Sequence, residues 1–114
     1  MDYKDLIVWQ HAMTLCEQIY RVSDDFPSRE MYGLTHQVRK SAVSIPSNIA
    51  EGEGRLTSGE RRQFLSQARG SLFELETQLI IAERVGYLRS KKLFEILNES
   101  RRTLDGYIGF VRRG

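Results

Sequence analysis

Ser41-Ala-Val-Ser-Ile-Pro-Ser-Asn-Ile-Ala-Glu-Gly-Glu-Gly54 is the stretch on which the fold turns, because a helical apolar pattern runs straight into a proline and continues beyond it. Ala42, Ile45 and Ile49 are spaced 3 and 4 apart, the interval of one buried helix face. Pro46 has no N–H, so the Ala42 carbonyl loses its helical partner at a local cost of roughly 3 kcal/mol. Ser44, Ser47 and Asn48 flank the break with side chains able to bond freed backbone groups, while Ile45 and Ile49 stay on the buried side. The stretch predicts a proline-kinked, buried helix that stops at Gly52 and Gly54, residues suited to left-handed caps.

The pattern extends outward in both directions. Upstream, Met31, Leu34 and Val38 continue the same face, so the second helix is predicted to begin just after Ser28, a good cap with Glu30 in the first turn. Asp24 to Ser28, with Pro27 inside it, separates this helix from a first one over about 5–23, whose face is Trp9, Ala12, Cys16 and Ile19, widened by Ile7, Val8, Met13, Leu15 and Tyr20. Downstream, Thr57-Ser-Gly-Glu60 is a capping box that opens a third helix. Its seam, Leu65, Ala68, Leu72, Leu75, Leu79, Ala82 and Gly86, alternates spacings of 3 and 4 without a slip. Ser90 caps a fourth helix with Leu93, Leu97, Leu104, Ile108 and Val111 on its face. Short turns between long helices return each along its predecessor, so the fold class is all-α: an antiparallel up-down-up-down four-helix bundle forming one domain over 1–114. Ala42, Ser44, Ala68, Gly70 and Ser71 are small enough for helices two and three to approach closely.

Composition narrows the chemistry. The single cysteine, Cys16, rules out an intramolecular disulfide and points to a reducing, cytoplasmic setting. No apolar run reaches the roughly 18 residues of a membrane span. A di-iron bundle needs Glu-x-x-His, which does not occur, and His11 and His36 stand alone on different helices; neither a metal nor a cofactor is expected. Gly52-Glu-Gly54 lacks the lysine and strand-helix context of a phosphate loop. Glu51, Glu74 and Glu76 read as ion-pair partners for the many arginines, and no residue set points to an enzyme.

The strings Leu6-Ile-Val-Trp9-Gln10, Phe26-Pro27, Ser44-Ile-Pro-Ser-Asn-Ile-Ala-Glu-Gly52 with Arg55, and Ala68-Arg-Gly-Ser71-Leu-Phe-Glu-Leu75 together resemble one family across almost the whole chain. It is similar to the four-helix-bundle proteins encoded in intervening sequences of bacterial 23S ribosomal RNA genes. The resemblance implies a homopentameric ring without enzymatic activity. A related branch, the accessory variability determinant proteins of diversity-generating retroelements, implies a reverse transcriptase as partner and a basic surface that binds nucleic acid. Two functions follow as expectations: an oligomeric adaptor for RNA or DNA, or a protein-interaction scaffold with no nucleic-acid role.

Charge and apolar pattern suggest where each would act. Residues 1–54 carry 5 basic and 8 acidic side chains, whereas 55–114 carry 12 and 7. Arg55, Arg62 and Arg69 recur every seven residues and share a helical stripe. Folding the hairpins is expected to bring Arg39 and Lys40 to the level of Arg69, and Arg112 and Arg113 to that of Arg62. On the opposite side of helix three from its seam, Phe73, Ile80 and Ile81 form an outward apolar stripe, the expected oligomer interface.

Overall fold

Four apolar seams, each unable to bury itself alone, meet in one core. The computed structural model describes residues 2–114 and contains, among them, helices and no strands. Helix α1 spans Ile7–Ser23, α2 Leu34–Glu53, α3 Ser58–Arg84 and α4 Lys91–Arg113, with short 3-10 turns at Tyr3–Asp5 and Ser28–Glu30. The molecule is an all-α four-helix bundle. Its long axis of 44 Å is set by α3, whose 27 residues rise about 1.5 Å each.

Neighbouring helices run antiparallel. Ser41 faces Glu74 and Ser44 faces Ser71, so residue numbers rise on α3 as they fall on α2. The same crossing relation pairs Arg61 with Glu53 nearer the turn. Helix α4 returns along α3, with Arg69 beside Asp105 and Glu76 beside Arg101. Packing is most extensive between α2 and α3 and thinnest between α3 and α4.

The seams of α3 and α4 lie largely where the spacing places them: Leu65, Ala68, Leu72, Leu75, Leu79, Ala82, Leu93, Leu97, Leu104 and Val111 are buried, whereas Ile108 is half-buried and Gly86, past the end of α3, is exposed. In α1 the centre of the face is one residue away from the expected one. Val8, Ala12, Leu15 and Ile19 are buried, while Trp9 and Cys16 are half-buried at its edge. Thr57 caps α3 by accepting from the Glu60 N–H (3.2 Å), and its hydroxyl donates to the Glu60 carboxylate (2.9 Å). Ser90 caps α4 through the Leu93 N–H.

The central stretch sits at the closest seam. Ile45, Pro46, Ile49 and Gly52 are buried, and α2 continues through Pro46. Asn48 Nδ2 donates to the Ser44 carbonyl (2.8 Å) and to Ser44 Oγ (2.9 Å), and Ser44 Oγ shares a hydrogen bond with Ser71 Oγ (2.7 Å). Ser47 and Glu51 face outward. Three expectations change here. Helix α2 begins at Leu34 rather than just after Ser28, so Met31 is 51% exposed instead of buried. Gly54 closes α2 in the right-handed region, and neither it nor Gly52 is a left-handed cap; Gly86 alone has positive φ (+86°) among the described residues. Gly70 faces solvent and takes no part in the approach of α2 to α3.

Candidate functional site

Between α3 and α4, the neighbouring helices that pack least, a cleft of about 600 Å³ opens along the first half of α3 and the second half of α4. Arg62, Leu65, Ser66 and Arg69 line it from α3; Asp105, Ile108, Gly109 and Arg112 line it from α4. The arrangement follows from the heptad. A step of seven residues moves Arg62 to Arg69 along one stripe, and the antiparallel neighbour answers with Arg112 and Asp105. Leu65, on the buried side of the same turns, forms the floor.

Arg69 is fixed from two sides. Its Nε donates to Asp105 Oδ1 at 2.9 Å, and its guanidinium lies 4.5 Å from the centroid of the Phe73 ring. Arg101 covers the same ring at 4.9 Å and reaches Glu76 Oε2 at 3.7 Å. Phe73, expected in an outward stripe with Ile80 and Ile81, is therefore half-buried between two guanidinium groups, whereas Ile80 and Ile81 are exposed. Among the described residues, Arg62, Arg112, Arg113 and Lys40 make no ion pair.

The other basic residues lie elsewhere. Arg113 follows on the last turn of α4, with Nη1 over Gly109, 3.2 Å from where a Cβ would stand. Arg55 lies past the end of α2, pairing with Glu51 (3.3 Å) and covering the Phe64 ring. Arg39 is not at the level of Arg69. Since Ser41 faces Glu74, Arg39 lies level with Glu76, and it turns to α1, bonding Ser23 Oγ and Asp24 Oδ1, each at 2.8 Å. Lys40 is exposed beside it.

A second polar cluster went unnoticed in the sequence. Arg61 donates to both Glu53 oxygens (2.9 and 3.3 Å) and to the Tyr107 hydroxyl, which in turn donates to Glu53 Oε2. Burial works against the Arg61 charge, yet the Tyr107 and Glu53 oxygens outweigh it and raise its pKa. Burial also pushes the Tyr107 hydroxyl up. These groups tie α2, α3 and α4 together below the cleft. The only advance signal was the conjunction of Arg61 in the first turn of α3 with Tyr107 on the flank of α4. As for nucleophiles, burial raises the pKa of the Cys16 thiol and Glu17 adds to the effect, which disfavours the reactive thiolate.

Fold and site define a small helical bundle bearing a basic cleft between two of its helices. The model of the family described as 23S rRNA-intervening sequence protein matches residues 4–106, and the chain belongs to that family. No curated protein matches it. Among the described residues, no helix is long and apolar enough to cross a membrane.

Proposed function

We propose that this protein is a non-enzymatic, self-assembling cytoplasmic adaptor that binds RNA or DNA through the cleft between α3 and α4. The observation that carries the reading is the convergence of Arg62, Arg69 and Arg112, from two helices, on a cleft with a single carboxylate. Arginine presents a rigid fork of N–H donors suited to phosphate oxygens, and two of these three guanidinium groups have no acidic partner among the described residues. Aromatic residues do not line the cleft, so contacts are to the backbone, with little sequence preference. Repetition of the cleft around a homopentameric ring, the assembly implied by the family resemblance, strengthens weak single contacts through effective concentration.

Filter binding of single-stranded RNA across a salt series tests this. Each phosphate contact contributes a slope of about −0.7 in log affinity against log salt, so Arg62→Ala, Arg112→Ala should weaken binding and flatten the slope by about 1.4. Wild-type protein without salt-sensitive retention, or a folded double variant that binds equally well, would replace this reading with that of a protein-interaction scaffold. The exposed Ile80 and Ile81 on α3, with Val85 just past its end, are the observation that favours the alternative.

A further inference from the structure

Asp105 is the one side chain in the cleft at odds with its neighbours, a carboxylate among three arginines. We propose that Asp105 stands in for a phosphate group: in the free protein it holds the Arg69 guanidinium, and a backbone phosphate of a single-stranded RNA takes its place on binding. The inference rests on the reading of the cleft given above.

The Arg69–Asp105 pair has the properties of an exchangeable contact. It is made through Nε alone, at 2.9 Å, and both side chains are about half exposed, at 46% and 44%. Exposed pairs of this kind contribute little to stability, and a displaced Asp105 is rehydrated at once. Arg69 does not depend on Asp105 for its position, because the Phe73 ring supports its guanidinium from the other side. A phosphate oxygen arriving at Nε therefore meets a donor already oriented. The Arg61–Glu53 pair offers the contrast: two hydrogen bonds, lower exposure and a bridging Tyr107 make it a fixed element of the bundle.

Exchange also predicts a selectivity. A lone phosphate must compete with a carboxylate that is already tethered beside Arg69. A strand that also places phosphates near Arg62 and Arg112 gains contacts that Asp105 does not oppose, so the carboxylate favours polyanions over single anions.

The test compares affinities for a single-stranded oligoribonucleotide by fluorescence anisotropy at one fixed salt concentration. Asp105→Asn keeps the shape and removes the charge, and should bind about two- to fivefold tighter, the factor set by an exposed ion pair. Glu99→Gln removes a carboxylate that pairs with Arg102 outside the cleft, and should bind like wild type. Arg69→Ala, Asp105→Asn should bind no tighter than Arg69→Ala alone. Asp105→Ser, read in the same way, covers a folding defect peculiar to asparagine. Exchange is overturned if Asp105→Asn and Asp105→Ser bind no tighter than wild type, if Glu99→Gln gives the same gain, or if the gain persists without Arg69. Absence of binding by every protein, wild type included, overturns the reading of the cleft, whereas intact wild-type binding with an indifferent Asp105→Asn overturns the exchange alone.

Discussion

Gly52 and Gly70 both lie inside helices, yet alanine should have opposite effects at the two. A Cβ on Gly52 would stand 3.1 Å from Phe64 Cβ and 3.3 Å from the Arg61 carbonyl oxygen, atoms fixed to the α3 backbone. Alanine there pushes α2 off α3, and overpacking of this kind costs about 1–3 kcal/mol, more than the roughly 1 kcal/mol gained in helix propensity. A Cβ on Gly70 meets nothing within 4 Å, so the propensity gain remains and Gly70→Ala should stabilise by about 1 kcal/mol. Urea denaturation of the two variants should move the midpoint in opposite directions; a shared direction would contradict the close approach at Gly52. Ile49, fully buried beyond Pro46, should lose about 2–5 kcal/mol on replacement by alanine. An unchanged midpoint would place it outside the core.

The start of α2 depends on a carboxylate. Glu30 accepts from the Leu34 N–H (3.1 Å) and from the Tyr87 hydroxyl (2.9 Å), so it satisfies a free N–H of α2 and ties it to the turn after α3. The Leu34 N–H is the main cause that lowers its pKa from the usual carboxylate value, and Tyr87 adds to it. A carboxylate with a lowered folded pKa stabilises fully above its unfolded value, and that contribution is lost as pH falls through the folded one. Thermal melts of Glu30→Gln should therefore lose less stability than wild type as pH falls through and below the usual carboxylate range; parallel acid limbs would refute the cap. Glu30 also explains why the helix begins late. The apolar period runs through Met31 and is blind to Gly33, where a Cβ would stand 2.7 Å from Glu30 Oε1. Periodicity made the seams of α3 and α4 legible because each depends only on neighbours one turn away. Gly52 read as a cap because its packing partners, Arg61 and Phe64, lie on another helix. The cleft was legible in part for the same reason: the heptad relates Arg62 to Arg69, but the direction of Arg39 is set by Asp24, an acid in the turn after α1.

Taken whole, the bundle leaves the last turns of α3 and the residue that follows them unaccounted for. Ile80, Ile81 and Val85 are 37%, 47% and 55% exposed, close together at the end of the helix away from the cleft. Phe73 no longer belongs with them, since Arg69 and Arg101 cover it, so the expected interface contracts toward the end of α3. Grouped apolar side chains in water favour contact with a partner, and closed cyclic symmetry lets one modest patch serve every subunit. Light scattering should report an oligomer for the wild type and a monomer for Ile80→Asp, Ile81→Asp, with helical content unchanged because neither side chain is in the core. A monomeric wild type would remove self-assembly from the proposal. The same variant connects assembly to the cleft. Its Arg62, Arg69 and Arg112 are untouched, so each subunit retains its intrinsic affinity for phosphate, but the linked clefts and their effective concentration are gone. RNA affinity should therefore fall to the intrinsic affinity of one cleft, with a shallower dependence on salt because fewer phosphates are neutralised together. If the monomer binds RNA as tightly as the assembled protein, each cleft acts alone and the ring has no part in binding.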